Sequence, residues 1–89
     1  MADEPSQQLG RDDAELLAAV ADRRDPDALA QLYDQYAGMA YGVTMRIVSD
    51  PGTAEDTVQE AFFSIWRNAR SYSEQRGSVR NWVLSVVHN

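Results

Sequence analysis

Ala54-Glu55-Asp56-Thr57-Val58-Gln59-Glu60-Ala61-Phe62-Phe63-Ser64-Ile65-Trp66-Arg67 carries two helical patterns at once. Ala54, Val58, Ala61, Phe62, Ile65 and Trp66, with Ala69 beyond them, recur at spacings of three and four. That period places them on one side of an α-helix, the side that packs. Asp56, Gln59, Glu60 and Phe63 follow the same spacing on another side. This second set mixes two carboxylates, an amide and an aromatic ring. Two arrangements satisfy it: an outward surface whose ring anchors a partner bearing arginines, or a solvated face with Phe63 tucked under a preceding helix.

Upstream, the same period recurs. Leu16, Leu17 and Val20 stripe a first helix from about Asp13 to Arg24, and Asp12, Asp13 and Glu15 suit its N-terminus. Asp25-Pro26 breaks it, with Asp25 placed to cap a second helix and Pro26 at its first position. That helix is expected over about Pro26 to Val48, roughly 34 Å long at 1.5 Å per residue. Leu29, Leu32, Tyr33, Tyr36, Met39, Ala40, Val43 and Ile47 mark its buried face. Gly38 and Gly42 interrupt it, each a place where another helix could approach closely. After the turn Ser49-Asp50-Pro51-Gly52, the third helix starts either at a Thr53 cap answered by Asp56 or at Asp50 ahead of Pro51. It is expected to reach about Arg70. A polar loop from Ser71 to Gly77 follows, and Ser78 can cap a fourth helix striped by Val79, Trp82, Val83, Val86 and Val87. No period-two pattern competes, so the class is all-α: a three- to four-helix bundle, the second and third helices packed antiparallel.

The 89 residues suffice for one small domain. Residues 1–11 hold little to bury and read as a flexible leader ahead of a domain over 12–89. The leader lacks the basic start and apolar centre of a signal peptide. No apolar run reaches the roughly 18 residues of a membrane span. Without cysteine there is no disulfide, thiolate zinc site or cysteine nucleophile, and a cytoplasmic home is expected. His88 is the one histidine, and no metal set or Gly-rich phosphate loop accompanies it. Glu55, Asp56 and Glu60 near a helix start read as dipole-favoured, solvated carboxylates, so neither an enzyme nor a cofactor is expected.

The net charge of −6 is unevenly spread. Residues 1–60 carry thirteen acids against four arginines, whereas residues 61–89 carry four arginines against one acid, Glu74. The split is either chance segregation or two surfaces with different partners, the second a polyanion. Tyr72 and Trp82 lie among those four arginines, Arg67, Arg70, Arg76 and Arg80. Arginines neutralise phosphates and rings stack on unpaired bases. Trp82 sits on an apolar stripe and reads as core or a partly buried wall, whereas Tyr72 in a polar loop reads as exposed for function.

The run Asp56 to Arg67, with Ala54-Glu55 before it, resembles the polymerase-binding helix of extracytoplasmic-function sigma factors of the sigma-70 family. Leu32-Tyr33-Asp34-Gln35-Tyr36-Ala37-Gly38-Met39-Ala40-Tyr41 is similar to the segment preceding it there, and Trp82-Val83-Leu84-Ser85-Val86-Val87-His88-Asn89 to the start of their promoter-reading segment. The resemblance covers about residues 26–89 and implies a compact bundle of the sigma region 2 type. It implies that Asp56, Gln59, Glu60 and Phe63 sit against the clamp helices of the largest subunit of core RNA polymerase. It implies that the loop from Tyr72 to Gly77, with Arg80, Trp82 and Asn89, holds the non-template single strand of the minus-ten promoter element, a base being flipped from the stack into a pocket. An anti-sigma protein covering the same surfaces is expected on the same ground. In the family the segment continues beyond the position of Asn89, and a second, helix-turn-helix domain follows. Two other readings of the residues are a helical interaction module with no DNA role and a duplex-reading helix-turn-helix regulator. The second fits poorly, because the loop is long and the last helix is poor in base-reading side chains.

Overall fold

The computed structural model describes residues 12–88; the expected leader, residues 1–11, and Asn89 lie outside the described residues. Four helices follow one another: α1 (Asp13–Arg23), α2 (Pro26–Val48), α3 (Pro51–Asn68) and α4 (Val79–His88). Short 3-10 turns at Ala69–Ser71 and Glu74–Arg76 join the last two. There is no strand among the described residues.

Each helix start is written in its cap. Asp12 and Glu15 form a reciprocal capping box at α1, with the Glu15 amide donating to Asp12 at 2.9 Å and the Asp12 amide to Glu15 at 3.3 Å. Asp25 accepts from the amides of Asp27 and Ala28 at the head of α2. At α3 the choice between two starts resolves to Asp50. Its carboxylate accepts from the Thr53 amide at 2.9 Å and the Thr53 hydroxyl at 2.6 Å, so Thr53 is the donor and not the cap. Those bonds hold the Asp50 carboxyl below its ordinary range. Ser78 caps α4 by accepting from the Asn81 amide at 3.1 Å.

The core gathers Leu16, Leu17 and Val20 of α1, Leu32 and Ala40 of α2, Val58, Phe62 and Ile65 of α3, and Val79, Val83 and Val87 of α4. The Tyr33 ring meets Phe62 edge-on at 5.0 Å. That pairs the beginning of α2 with the end of α3, so the two run antiparallel. Trp82 and Val86 of α4 lie beside Asn68 and Ser64 of α3, so α4 runs back along α3. Tyr36 donates its hydroxyl to Asp13 and ties α2 to the first turn of α1. Burial, then that hydrogen bond and charge, push Tyr36 up to about 12.

Two parts of the expected buried face of α2 are exposed instead. Tyr33 is 43% exposed, because its ring covers the rim of Phe62 and leaves its other face to solvent. Ile47 is 65% exposed. With 23 residues α2 outlasts the 11 of α1 and the 10 of α4, and no described element covers its last turn. α3 also ends at Asn68, short of Arg70, as its last turn tightens into the 3-10 turn. An added Cβ at Gly38 or Gly42 would meet nothing within 4 Å, so neither glycine marks a close approach among the described residues.

Candidate functional site

Two surfaces stand out, and α3 connects them. The first is its outward face. Asp56, Gln59, Glu60 and Phe63 are all exposed, and Phe63, at 58%, is not tucked under α1. Their inward neighbours Val58, Ala61, Phe62 and Ile65 are buried, so the core fixes the angle at which the face is presented. A shallow groove flanks it on either side. The one against α2, about 350 Å³, is lined by Tyr33, Ala37, Gly38 and Tyr41 with Glu55, Val58 and Gln59. The one against α4, about 310 Å³, brings Asp56 and Glu60 beside Val86 and Val87. The face is thus negative and polar, with apolar footholds at its centre and edges. An arginine-bearing surface complements that pattern.

The second surface is a cleft of about 380 Å³ between the 3-10 turns and α4. Tyr72 and Trp82 form its rings, with centroids 5.9 Å apart and planes at 67°. Ser71, Ser73, Arg76, Gly77, Ser78, Asn81 and Ser85 complete the lining. The Tyr72 hydroxyl donates to the Gly77 carbonyl at 3.1 Å and so spans the loop. Partial burial, then the carboxylates of Glu74, Asp12 and Asp13, keep that hydroxyl protonated above its ordinary range. Gly77 has φ 140° and ψ −171°, a backbone conformation that only glycine adopts readily. Aromatic walls, hydroxyls, an amide and one guanidinium suit a planar polar group carrying a negative charge nearby, as an unpaired nucleotide does.

Of the residues picked out for nucleic acid, the fold brings Tyr72, Arg76 and Trp82 together. Arg67, Arg70 and Arg80 do not line the cleft. Arg80 donates from Nε to the Met39 sulfur of α2 at 3.3 Å. Arg70 donates from Nε to the Ala21 carbonyl of α1 at 3.3 Å. Arg67 is exposed on the last turn of α3. Asn89 lies outside the described residues. Ser78, read in the sequence only as a helix cap, joins Asn81 and Ser85, neither of which was singled out for the cleft. Their signal was present: with Trp82 they fall at i, i+3, i+4 and i+7, a single stripe of α4.

Among the described residues no group of three His, Asp or Glu side chains could hold a metal ion. No described helix is long and apolar enough to cross a membrane.

Residues 32–89 match the family described as Sigma-70 region 2. The chain is 42% identical over 73 residues to the ECF RNA polymerase sigma factor SigK of Mycobacterium sp. (strain KMS), covering 82% of this chain and 37% of that protein. Against the SigK of Mycolicibacterium vanbaalenii the identity is 41% over 73 residues, with the same coverage. Against that of Mycobacterium tuberculosis (strain CDC 1551 / Oshkosh) it is 38% over 64 residues, covering 72% of this chain and 34% of the relative. The chain spans little more than a third of the length of these curated relatives.

Proposed function

Because the chain belongs to the sigma-70 family, as a region 2 domain of the extracytoplasmic-function type, we propose that it couples docking on core RNA polymerase to the opening of the minus-ten promoter element. Asp56, Gln59, Glu60 and Phe63 dock on the clamp helices of the largest polymerase subunit. The ring-walled cleft takes a base flipped from the non-template strand. Tyr72 and Trp82 flank the base, Asn81 and the serine hydroxyls meet its polar edge, and Arg76 meets the adjoining phosphate. Arg67, Arg80 and Asn89 belong to the approach of the strand around that cleft. The domain carries out no reaction of its own. Binding to the extruded base offsets an unstacking cost of a few kcal/mol. It acts where polymerase acts, in the cytoplasm, and an anti-sigma protein that holds it inactive would cover the same two surfaces.

The observation that carries this reading is the continuity of α3. One side of the helix is held in the core, its other side presents an acidic face with an exposed ring, and the 3-10 turn that follows its end, Ala69–Ser71, leads into the cleft. A duplex-reading helix-turn-helix needs a tight turn, and here two 3-10 turns separate α3 from α4. The test is a pull-down with core polymerase. Asp56→Arg combined with Glu60→Arg abolishes capture while helix content by circular dichroism stays at the wild-type level. Retained capture would remove the docking face from the proposal.

A further inference from the structure

Arg70 was expected to meet a phosphate, yet its Nε points back into the fold. The Ala21 carbonyl that accepts from it, at 3.3 Å, is among the last four of α1. At the other side of the same junction, Nη1 of Arg24 donates to the Trp66 carbonyl at 2.7 Å, among the last four of α3. These are the carbonyls that a helix leaves without a donor of its own, at the end where its dipole is negative. Each helix therefore has its C-terminal end capped by an arginine from just beyond the other one. The Arg24 guanidinium also lies 4.1 Å from the centre of the Trp66 ring. Arg24 does this from a left-handed backbone, φ 53° and ψ 47°. Glycine is the usual occupant of such a helix end, but it would supply neither contact.

The consequence falls on the cleft. Two residues after Arg70, Tyr72 stands as a partition: one side lines the cleft with Trp82, the other lines a groove against α1 with Ala14, Leu17, Ala18 and Ala21. Arg70 lines that same groove. We propose that Arg24 and Arg70 form a crossed clasp that fixes the start of the loop on α1 and so sets the position of the Tyr72 wall. Arg70 is then a positioning residue for base recognition and not a phosphate contact. This rests on the reading of the cleft as the base site.

The nature of the donor gives the test. A glutamine Nε2 stands the same number of bonds from Cα as an arginine Nε, so Arg70→Gln keeps a donor at that place and drops the charge. Arg70→Met drops both, and Arg24→Gly removes the other half of the clasp. The probe is a short fluorescent single strand selected from a random pool by the wild-type 89-residue chain, with a scrambled strand as reference. Arg70→Met and Arg24→Gly are expected to weaken the selected strand by about three- to tenfold, the loss of one hydrogen bond of ordinary strength. Arg70→Gln stays within twofold, by roughly the same reckoning. The slope of log affinity against log salt is unchanged in Arg70→Met and Arg70→Gln. If Arg70→Gln loses as much as Arg70→Met and the slope falls by about 0.7, the value for one phosphate on a single strand, Arg70 is a phosphate contact and the clasp is wrong. The second readout needs no DNA. The Trp82 indole N–H resonance shifts in Arg70→Met and Arg24→Gly but not in Arg70→Gln; a resonance unmoved by all three overturns the clasp. A wild-type chain that fails to prefer its selected strand over the scrambled one overturns the base site instead, while the indole resonance still decides the clasp.

Discussion

Replacing Gly77 by alanine should separate the stability of the cleft from that of the bundle. Gly77 lies at φ 140° and ψ −171°, and a Cβ built there meets nothing within 4 Å. The substitution therefore costs backbone conformation and not space. A residue other than glycine in such a region is strained by about 1–3 kcal/mol. The surrounding backbone bonds, from the Arg76 amide to the Ser73 carbonyl at 3.0 Å and from the Gly77 amide to the Glu74 carbonyl at 3.2 Å, contribute only about 0.5–1.5 kcal/mol each. A fold of the described size holds together by about 4–12 kcal/mol. The strain matches the loop and falls short of the bundle, so the loop relaxes first. When it does, the Gly77 carbonyl leaves the Tyr72 hydroxyl and the ring wall loses its tie. Urea unfolding followed by circular dichroism should change little. Fluorescence anisotropy with a selected single strand should show a loss of about 5- to 150-fold, the same strain expressed as affinity. An alanine variant that binds like wild type while its unfolding free energy falls by the full strain would refute this division of the molecule.

Two further outcomes test the frame that holds the site. Gly42→Ala, inside α2 with open space around the added methyl, should stabilise the chain by about 0.4–1 kcal/mol in urea melts, because it restricts the unfolded chain without a clash. The Tyr36 hydroxyl is raised from 10.0 to about 12 by burial first, then by its bond to Asp13 and that carboxylate's charge, with Arg80 opposing and Tyr72 adding slightly. The folded form thus holds this proton more tightly than the unfolded one. The resulting stability is present below pH 10.0 and is lost as pH rises toward about 12. Alkaline unfolding of Tyr36→Phe should show a flatter dependence across that window than wild type.

Most of the frame was legible because it rests on local chemistry. Asp25-Pro26 and Ser78 announce their helices, and the spacing of Val58, Ala61, Phe62 and Ile65 orients α3 before any contact is known. The outward placement of Phe63 was not legible. Periodicity assigns it to a face but does not say whether another helix covers that face. Ile47 failed for the complementary reason: it continues the apolar stripe of α2, but burial also needs a partner of sufficient length, and α1 and α4 are too short. The directions of the arginines were the least legible. Composition gathers Arg67, Arg70, Arg76 and Arg80 into one basic segment, whereas the fold points Arg70 at a helix end and Arg80 at a methionine. Charge in a sequence has no direction until the loop that carries it is folded.

That dispersal bears on how the domain would tell one strand from another. Among the described residues only Arg76 brings a fixed positive charge into the cleft lining, among two rings, one amide and serine hydroxyls. Each phosphate neutralised on a single strand adds only about 0.7 to the salt slope, so one guanidinium gives the cleft little general affinity for polyanions. A base stacked on the Trp82 ring contributes about 1–3 kcal/mol, and hydrogen bonds from Asn81 and the serines add to it only when the base edge matches. The chain as a whole carries −6, which repels duplex DNA at a distance and weakens the hold on a strand that does not fit. On the proposed reading, discrimination between strands comes from base shape and edge at the cleft, and docking of the acidic α3 face on polymerase adds affinity to that weak but selective contact.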